Sequence, residues 1–250
     1  MNSDLIAGIG LTRLRVYEQR PAPDGVSCGC AHDHALTDEG YYVIAGEGAL
    51  ELHDLRQGFR SVPLRAGDYL QFPPDTLHRS VSTHGLEVLA VMGNSGLAEH
   101  GDARIYFGAE VDADPARFAE LVALPRLSGL EGALARRDAS IRAYGGLMRW
   151  WKEDREAYFA ELGRFIDLHR RALAARSAEL GAAIEAGPDR WTALARRRLA
   201  LLADTPAAAR SDSGDIPVGS QVIRMSGLKA REVLGMCGVL SPLLDAEDAE

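Results

Sequence analysis

The sequence predicts a β plus α chain, with a small all-β barrel or sandwich in residues 1–112 and an α-helical region in residues 113–250. Charge and residue pattern divide at the same place. Residues 1–112 carry 16 acidic and 8 basic side chains, whereas residues 113–250 carry 20 of each. The first part is broken by Gly and Pro into short runs rich in Val, Leu, Tyr and Phe, and the second is rich in Ala, Leu, Glu and Arg, the compositions of strands and of helices respectively.

Eight strands are expected in the first part: Leu11 to Glu18, Val26 to His34, Gly40 to Ala45, Ala49 to Asp54, Ser61 to Leu64, Asp68 to Phe72, Leu77 to Ser82 and Leu86 to Met92. Turn chemistry separates them at Gly46-Glu47-Gly48, at Ala66-Gly67-Asp68 and at Pro73-Pro74-Asp75, where proline also removes ladder donors. Short strands at this spacing build barrels and sandwiches. The second part opens with Asp114 and Pro115, an N-cap followed by a proline at the first helical position, before a helix over Ala116 to Ala123. The longest helix is expected from about Glu153 to Ala186, with Phe159, Leu162, Phe165, Ile166, His169 and Leu173 on one face and Gly187-Pro188 as its stop. Further helices are expected over Asp189 to Ala203 and Leu228 to Val239, a loop over Asp204 to Pro217, and a frayed acidic tail over Asp245 to Glu250.

Composition excludes several classes of function. Hydrophobic residues at 46% and charged residues at 26% are those of an ordinary globular protein, and no apolar run approaches the roughly 18 residues that span a bilayer. Met1 to Gly10 shows neither a basic n-region nor a long apolar stretch, so a cytoplasmic location is expected. Three cysteines, Cys28, Cys30 and Cys237, are too few for a disulfide framework and are expected to be reduced. A formal net charge of −8 repels a phosphate backbone, which argues against nucleic acid as a partner.

The chemistry concentrates in Cys28-Gly29-Cys30-Ala31-His32-Asp33-His34. In an extended strand alternate side chains share a face, so His32 and His34 point the same way and offer two imidazoles to a metal. Glu39, at the start of the next strand, supplies an oxygen donor, and His78, after the Pro73-Pro74-Asp75 bend, is the best fourth donor. Tyr41 shares a face with Glu39, and Ser80 with His78, so both are candidates to contact substrate or support the ligands. Ordinary barrel filling accounts for them equally well. Cys28 and Cys30, on the same face as the histidines, form a less favoured alternative ligand set. His53, His84 and His100 have no partner spacing and read as surface residues. His169 lies on the apolar stripe of a helix and reads as a packing residue, and Arg196-Arg197-Arg198 as a solvated face.

These residues resemble the cupin superfamily, whose first motif is G(X)5HXH(X)3-4E(X)6G and whose second is G(X)5PXG(X)2H(X)3N. His32, His34, Glu39 and Gly46 fall on the first motif, and Gly67, Pro73 and His78 on the second. Three positions depart: Gly25 lies one residue early, Asp75 replaces the glycine after Pro73, and Ser82 stands where asparagine is common. The resemblance covers roughly the first 110 residues and implies a double-stranded β-helix, or jelly-roll, barrel with a metal on His32, His34, Glu39 and His78.

Three imidazoles and one carboxylate leave two positions open on a six-coordinate ion, enough for a chelating substrate or for substrate with dioxygen. The expected function is therefore an Fe(II) oxygenase acting on a small molecule. Manganese, nickel, copper or zinc fit the same ligands, and the same site suits an isomerase, decarboxylase or lyase. A non-catalytic ligand sensor is the other class, with the helical half transmitting a signal or forming a homodimer. The helical half, with its Trp150-Trp151 pair, also suits a lid over the barrel.

Overall fold

The computed structural model describes residues 5–94, 97–201 and 232–242. Its strands are β1 (Gly10–Val16), β2 (Ser27–Cys28), β3 (His32–His34), β4 (Glu39–Asp54), β5 (Gly58–Arg65), β6 (Tyr69–Phe72), β7 (Leu77–Met92), β8 (Ala103–Ile105), β9 (Val233–Leu234) and β10 (Gly238–Pro242). The helices are α1 (Ala109–Asp112), α2 (Pro115–Glu153), α3 (Arg155–Ala174), α4 (Ser177–Ile184) and α5 (Arg190–Ala200). All the described strands join one antiparallel sheet, ordered β5-β4-β7-β1-β10-β9, with β6 on β4, β2 and β3 on β7, and β8 on β3.

Two 16-residue strands, β4 and β7, form the spine. Each was expected as two strands split by a turn. Both instead run through, because the register shifts between Val43 and Gly48 are bulges that bend the strand without ending it. Gly46 and Gly85 sit at the bend with φ of +73° and +57°, and a Cβ on Gly46 would lie 2.1 Å from the Gly85 carbonyl oxygen. Glycine is required there by both conformation and space. The inward face of the bent sheet, with Leu14, Val43, Leu50, Phe72 and Val88, makes the barrel core.

The helical half departs from expectation at its breaks. Asp114 caps α2, accepting from the amides of Ala116 and Arg117 at 3.0 and 3.1 Å, as the sequence predicts. The helix then continues to Glu153, kinked at Ser128-Gly129 where Gly129 takes φ +56°. The helix expected from about Glu153 starts as α3, where Asp154, with extended backbone, accepts from the Ala157 amide at 3.0 Å and caps it. It is interrupted at Ala175–Arg176. Gly187-Pro188 is no stop: Glu185–Asp189 widens into one π turn that leads directly into α5, where the missing proline donor falls in an already loosened ladder. The expected helix over Leu228–Val239 is replaced, in its described part, by the β9–β10 hairpin. Gly235 and Gly238 are poor helix residues, and Val239 and Leu240 find partners on β1. The loop over Asp204–Pro217 and the tail over Asp245–Glu250 lie outside the described residues.

Helices α2 and α3 share a core with the barrel wall: Tyr144, Leu147, Tyr158, Leu162 and Phe165 pack with Ala31, Leu77 and Tyr106. Trp151 fills the space above Gly58, where a Cβ would lie 2.2 Å from its ring. No helix among the described residues is long and apolar enough to cross a membrane.

His53, expected at the surface, is fully buried in this seam. Its Nε2 and Nδ1 lie 2.8 Å from the hydroxyls of Tyr144 and Tyr158. Tyr144 donates its proton to Glu51 at 2.7 Å, so its oxygen accepts from His53 Nε2–H, and bare Nδ1 accepts from Tyr158. Arg79 closes the chain by donating to Glu51 at 2.5 Å and stacking 4.3 Å over the Tyr144 ring. Burial, with Arg79 nearby, pushes the His53 pKa down to about 3. Of the other histidines, His84 is exposed and His100 pairs with Glu179 at 2.5 Å. His169 is a packing residue as expected, buried in α3 with its ring nitrogens on Asp33 Oδ1 at 2.7 Å and the Gly101 carbonyl at 3.1 Å. Arg196, Arg197 and Arg198 are exposed.

Candidate metal centre

The sheet brings His32, His34, Glu39 and His78 together, with one donor atom of each within 4.8 Å of all the others. Register explains the meeting. His32 on β3 lies directly opposite His78 on β7, and Glu39 opens β4 between Phe72 and Met92. All four are buried, none more than 6% exposed.

Each imidazole is fixed through its Nδ1. His32 donates to the Cys30 carbonyl at 3.0 Å, His78 to the Thr76 carbonyl at 2.9 Å, and His34 to Asp102 Oδ2 at 3.1 Å. The remaining Nε2 atoms carry lone pairs, and those of His34 and His78 approach Glu39 Oε2 at 3.4 and 3.1 Å. Glu39 Oε2 and His78 Nε2 nevertheless have no hydrogen-bond partner among the described residues. Buried polar atoms left so are costly, and the arrangement is that of ligands whose other nitrogens are tied back to carboxylate and carbonyl acceptors. The residues present fit a divalent metal.

The charges agree with that fit. Burial opposes ionisation of Glu39, yet the close approach of the three imidazoles, His78 foremost, brings its pKa down to about 2. Burial, reinforced by His78 and His34, keeps His32 neutral well below the usual histidine range. For His34 burial is outweighed by Asp102 and Glu39, which raise its pKa. A metal would displace the proton at that position.

Asp102 also accepts from the amides of Ala35 at 3.1 Å and Leu36 at 2.7 Å, so one carboxylate sets both the loop and the His34 tautomer. Asp102→Asn is expected to keep the two amide bonds through its carbonyl but turn an N–H₂ toward His34 Nδ1. The ring proton then moves to Nε2, and metal affinity falls about 10- to 100-fold, measured by competition against a chromophoric chelator. Unchanged affinity would show that Asp102 does not orient the ring.

Asp75 adopts φ +58°, the conformation of the glycine it replaces, which Asp tolerates better than most residues. Its amide donates to the His34 carbonyl at 2.7 Å and its carboxylate pairs with Arg170 of α3 at 2.5 Å. Ser82, at the asparagine position, accepts from the Leu86 amide at 2.9 Å and bonds Glu18.

Tyr41 and Ser80 are both buried and meet, Ser80 donating to the Tyr41 hydroxyl at 3.4 Å. Cys28 and Cys30 do not join the donor cluster. The extended run breaks at Gly29–Ala31, so alternation no longer aligns them with the histidines. Cys28 sits 3.6 Å from Arg79 Nη1, and Cys30 packs with Ile105 and Phe107.

Residues 17–92 match the family model of the cupin domain. This part of the chain is a cupin domain. Among solved structures, the chain is similar to a predicted oxalate decarboxylase from Thermotoga maritima, at 28% identity over 33% of this chain and 63% of that one, TM-score 0.26. It is also similar to a cupin protein from Bacteroides fragilis, at 20% identity over 36% and 68%, TM-score 0.26. A third is a cupin superfamily protein from Desulfitobacterium hafniense, at 14% identity over 36% and 69%, TM-score 0.28. The matched region thus spans less than two thirds of the Thermotoga protein. No curated protein matches the chain.

Proposed function

We propose that this cupin is a metal-dependent enzyme, an Fe(II) oxygenase acting on a small molecule that chelates the metal. The observation that carries the reading is the convergence of three Nδ1-anchored imidazoles on the unpartnered Glu39 Oε2 in a buried site. His32, His34, Glu39 and His78 would hold the ion, which when bound supplies Lewis acidity and, if iron, the electrons of dioxygen chemistry.

The chain's own residues bind, orient and exclude water. Tyr41 is the group we assign to substrate. Burial, helped by the Glu39 charge, keeps its hydroxyl protonated, and Ser80 donates into its oxygen, leaving the Tyr41 proton to be donated onward. A substrate oxygen beside Glu39 would receive it. The β3 wall is held by His169, which binds Asp33 between the two ligand histidines.

The test is oxygen uptake by the iron-loaded protein across a panel of small hydroxy, keto and thiol acids. Uptake with at least one of them, reduced on Tyr41→Phe through kcat rather than through metal content, is expected. Turnover without oxygen consumption would replace the oxygenase with Lewis-acid chemistry at the same ligands, and ligand binding without product would make the barrel a sensor.

A further inference from the structure

Cys237 approaches the donor cluster at His32 from the other end of the chain, outside the set of donor atoms that lie within 4.8 Å of one another. It lies at the tip of the β9–β10 hairpin, and its Sγ stands 3.3 Å from His32 Nε2, the nitrogen left free when Nδ1 donates to Cys30. The tip is held on all sides. Gly235 N–H donates to the Gly238 carbonyl at 2.9 Å, and Cys30 N–H donates to the Met236 carbonyl at 2.9 Å. The Gly235 carbonyl accepts from the Tyr17 hydroxyl at 2.9 Å and from Arg136 Nη2 at 2.6 Å. A Cβ on Gly29 would stand 2.6 Å from the Cys237 Cα and carbonyl oxygen, so the absence of a side chain at Gly29 admits the hairpin to this depth. The sulfur is positioned by the fold.

We propose that Cys237 is a fifth donor to the metal, a reading that rests on metal binding by His32, His34, Glu39 and His78. Without metal, the thiol donates its proton to the lone pair of His32 Nε2. That lone pair is single, so a metal on Nε2 removes the acceptor and leaves the sulfur facing the ion. A nitrogen at about 2.1 Å and a sulfur at about 2.3 Å from one ion, at angles between octahedral and tetrahedral, stand roughly 3.1 to 3.6 Å apart, and the observed 3.3 Å falls within that interval. Independently of the cysteine, Glu39 Oε2 and His78 Nε2 are buried with no partner among the described residues, which places an unmet demand for a cation in the cluster whose His32 this sulfur faces. On binding, the S–H bond breaks, a sulfur–metal bond forms, and the proton leaves to solvent.

Two consequences follow for the cupin. The C-terminal hairpin takes one of the two positions that three histidines and a glutamate leave open on a six-coordinate ion, so a chelating substrate must displace the sulfur or bind through one atom. A thiolate also moves the preference of the site toward softer metals than the oxygen and nitrogen donors alone would set.

The experiment is cobalt(II) loading of the full chain, with cobalt stoichiometry by elemental analysis and the near-ultraviolet sulfur-to-cobalt charge-transfer band as separate readouts. The wild type is expected to bind near one cobalt and show the band. Cys237→Ser is expected to bind cobalt and lose the band. Cobalt bound without the band in the wild type, or a band that persists in Cys237→Ser, overturns the fifth donor while leaving the four-residue centre standing. No cobalt bound by the wild type overturns both. X-ray absorption at the cobalt edge of the wild type, expected to show one sulfur neighbour, decides the matter without a variant should Cys237→Ser fail to fold.

Discussion

The His32→Ala/His34→Ala protein is expected to hold none of the metal that the wild type retains at near one ion per chain, read by elemental analysis of both proteins prepared alike. The size of the effect follows from the construction of the centre. Four donors brought within 4.8 Å of one another by β3, β4 and β7 form an assembled site, and removing two leaves His78 and Glu39, with Cys237 deprived of the His32 nitrogen it faces, a set too incomplete to retain a divalent ion through purification. Metal binding to the native state alone adds about 4.1 kcal/mol at 1,000 times the dissociation constant. A chelator should therefore lower the melting temperature of the wild type and leave that of the double variant unmoved. The variant has its own local cost, because Glu39 loses two of the three imidazoles that hold its pKa near 2. Retention of the same stoichiometry by the variant, or no metal in the wild type after anaerobic reconstitution, would remove the metal centre and with it the enzyme proposed here.

The centre was legible in the sequence because its geometry is local. The alternation of His32 and His34, the four residues before Glu39 and the bend before His78 each constrain the backbone within a few residues, and β-pairing does the rest. Even the departure at Asp75 preserved the required left-handed conformation. What could not be read was long-range or depended on how a glycine is used. Gly46 and Gly85 carry turn chemistry but serve as bulges in continuous strands, since β4 and β7 find each other on both sides of the bend. His53 has no local partner because its two lie 91 and 105 residues away in sequence, and Cys237 lies 205 residues from the histidine it meets. One signal for the hairpin was present: Gly235 and Gly238 bracket Met236-Cys237, two glycines that a helix would not choose.

Acid is expected to destabilise the metal-free protein steeply between pH 6.5 and 3, with His53 as a principal cause. Its pKa falls from 6.5 unfolded to about 3 folded. Above pH 6.5 the ring is neutral in both states and the group has no effect on stability. Below it the unfolded chain takes up a proton that the folded chain refuses, at up to about 1.4 kcal/mol per pH unit. The loss is about 2 kcal/mol by pH 5 and about 4 kcal/mol at pH 3, a large share of the roughly 5–15 kcal/mol that holds a domain together. Glu39 acts in the same sense over a lower window. Its stabilisation is complete above pH 4.5 and is lost as pH falls toward its folded pKa of about 2. His34 acts in the opposite sense, since Asp102 and Glu39 raise its pKa and its contribution is present only below the rise. The slope due to His53 is therefore isolated as a difference, by urea unfolding of wild type and His53→Gln from pH 7 to pH 4 in the presence of a chelator. His53→Gln is expected to be less stable at pH 7 by about 1–3 kcal/mol, because Tyr144 and Tyr158 lose matched partners. The gap is expected to narrow or reverse as the pH falls, since the variant has no ring to protonate. Parallel stability curves would show that the buried chain from Tyr158 through His53 and Tyr144 to Glu51 accommodates the extra proton, and that acid acts elsewhere in the molecule.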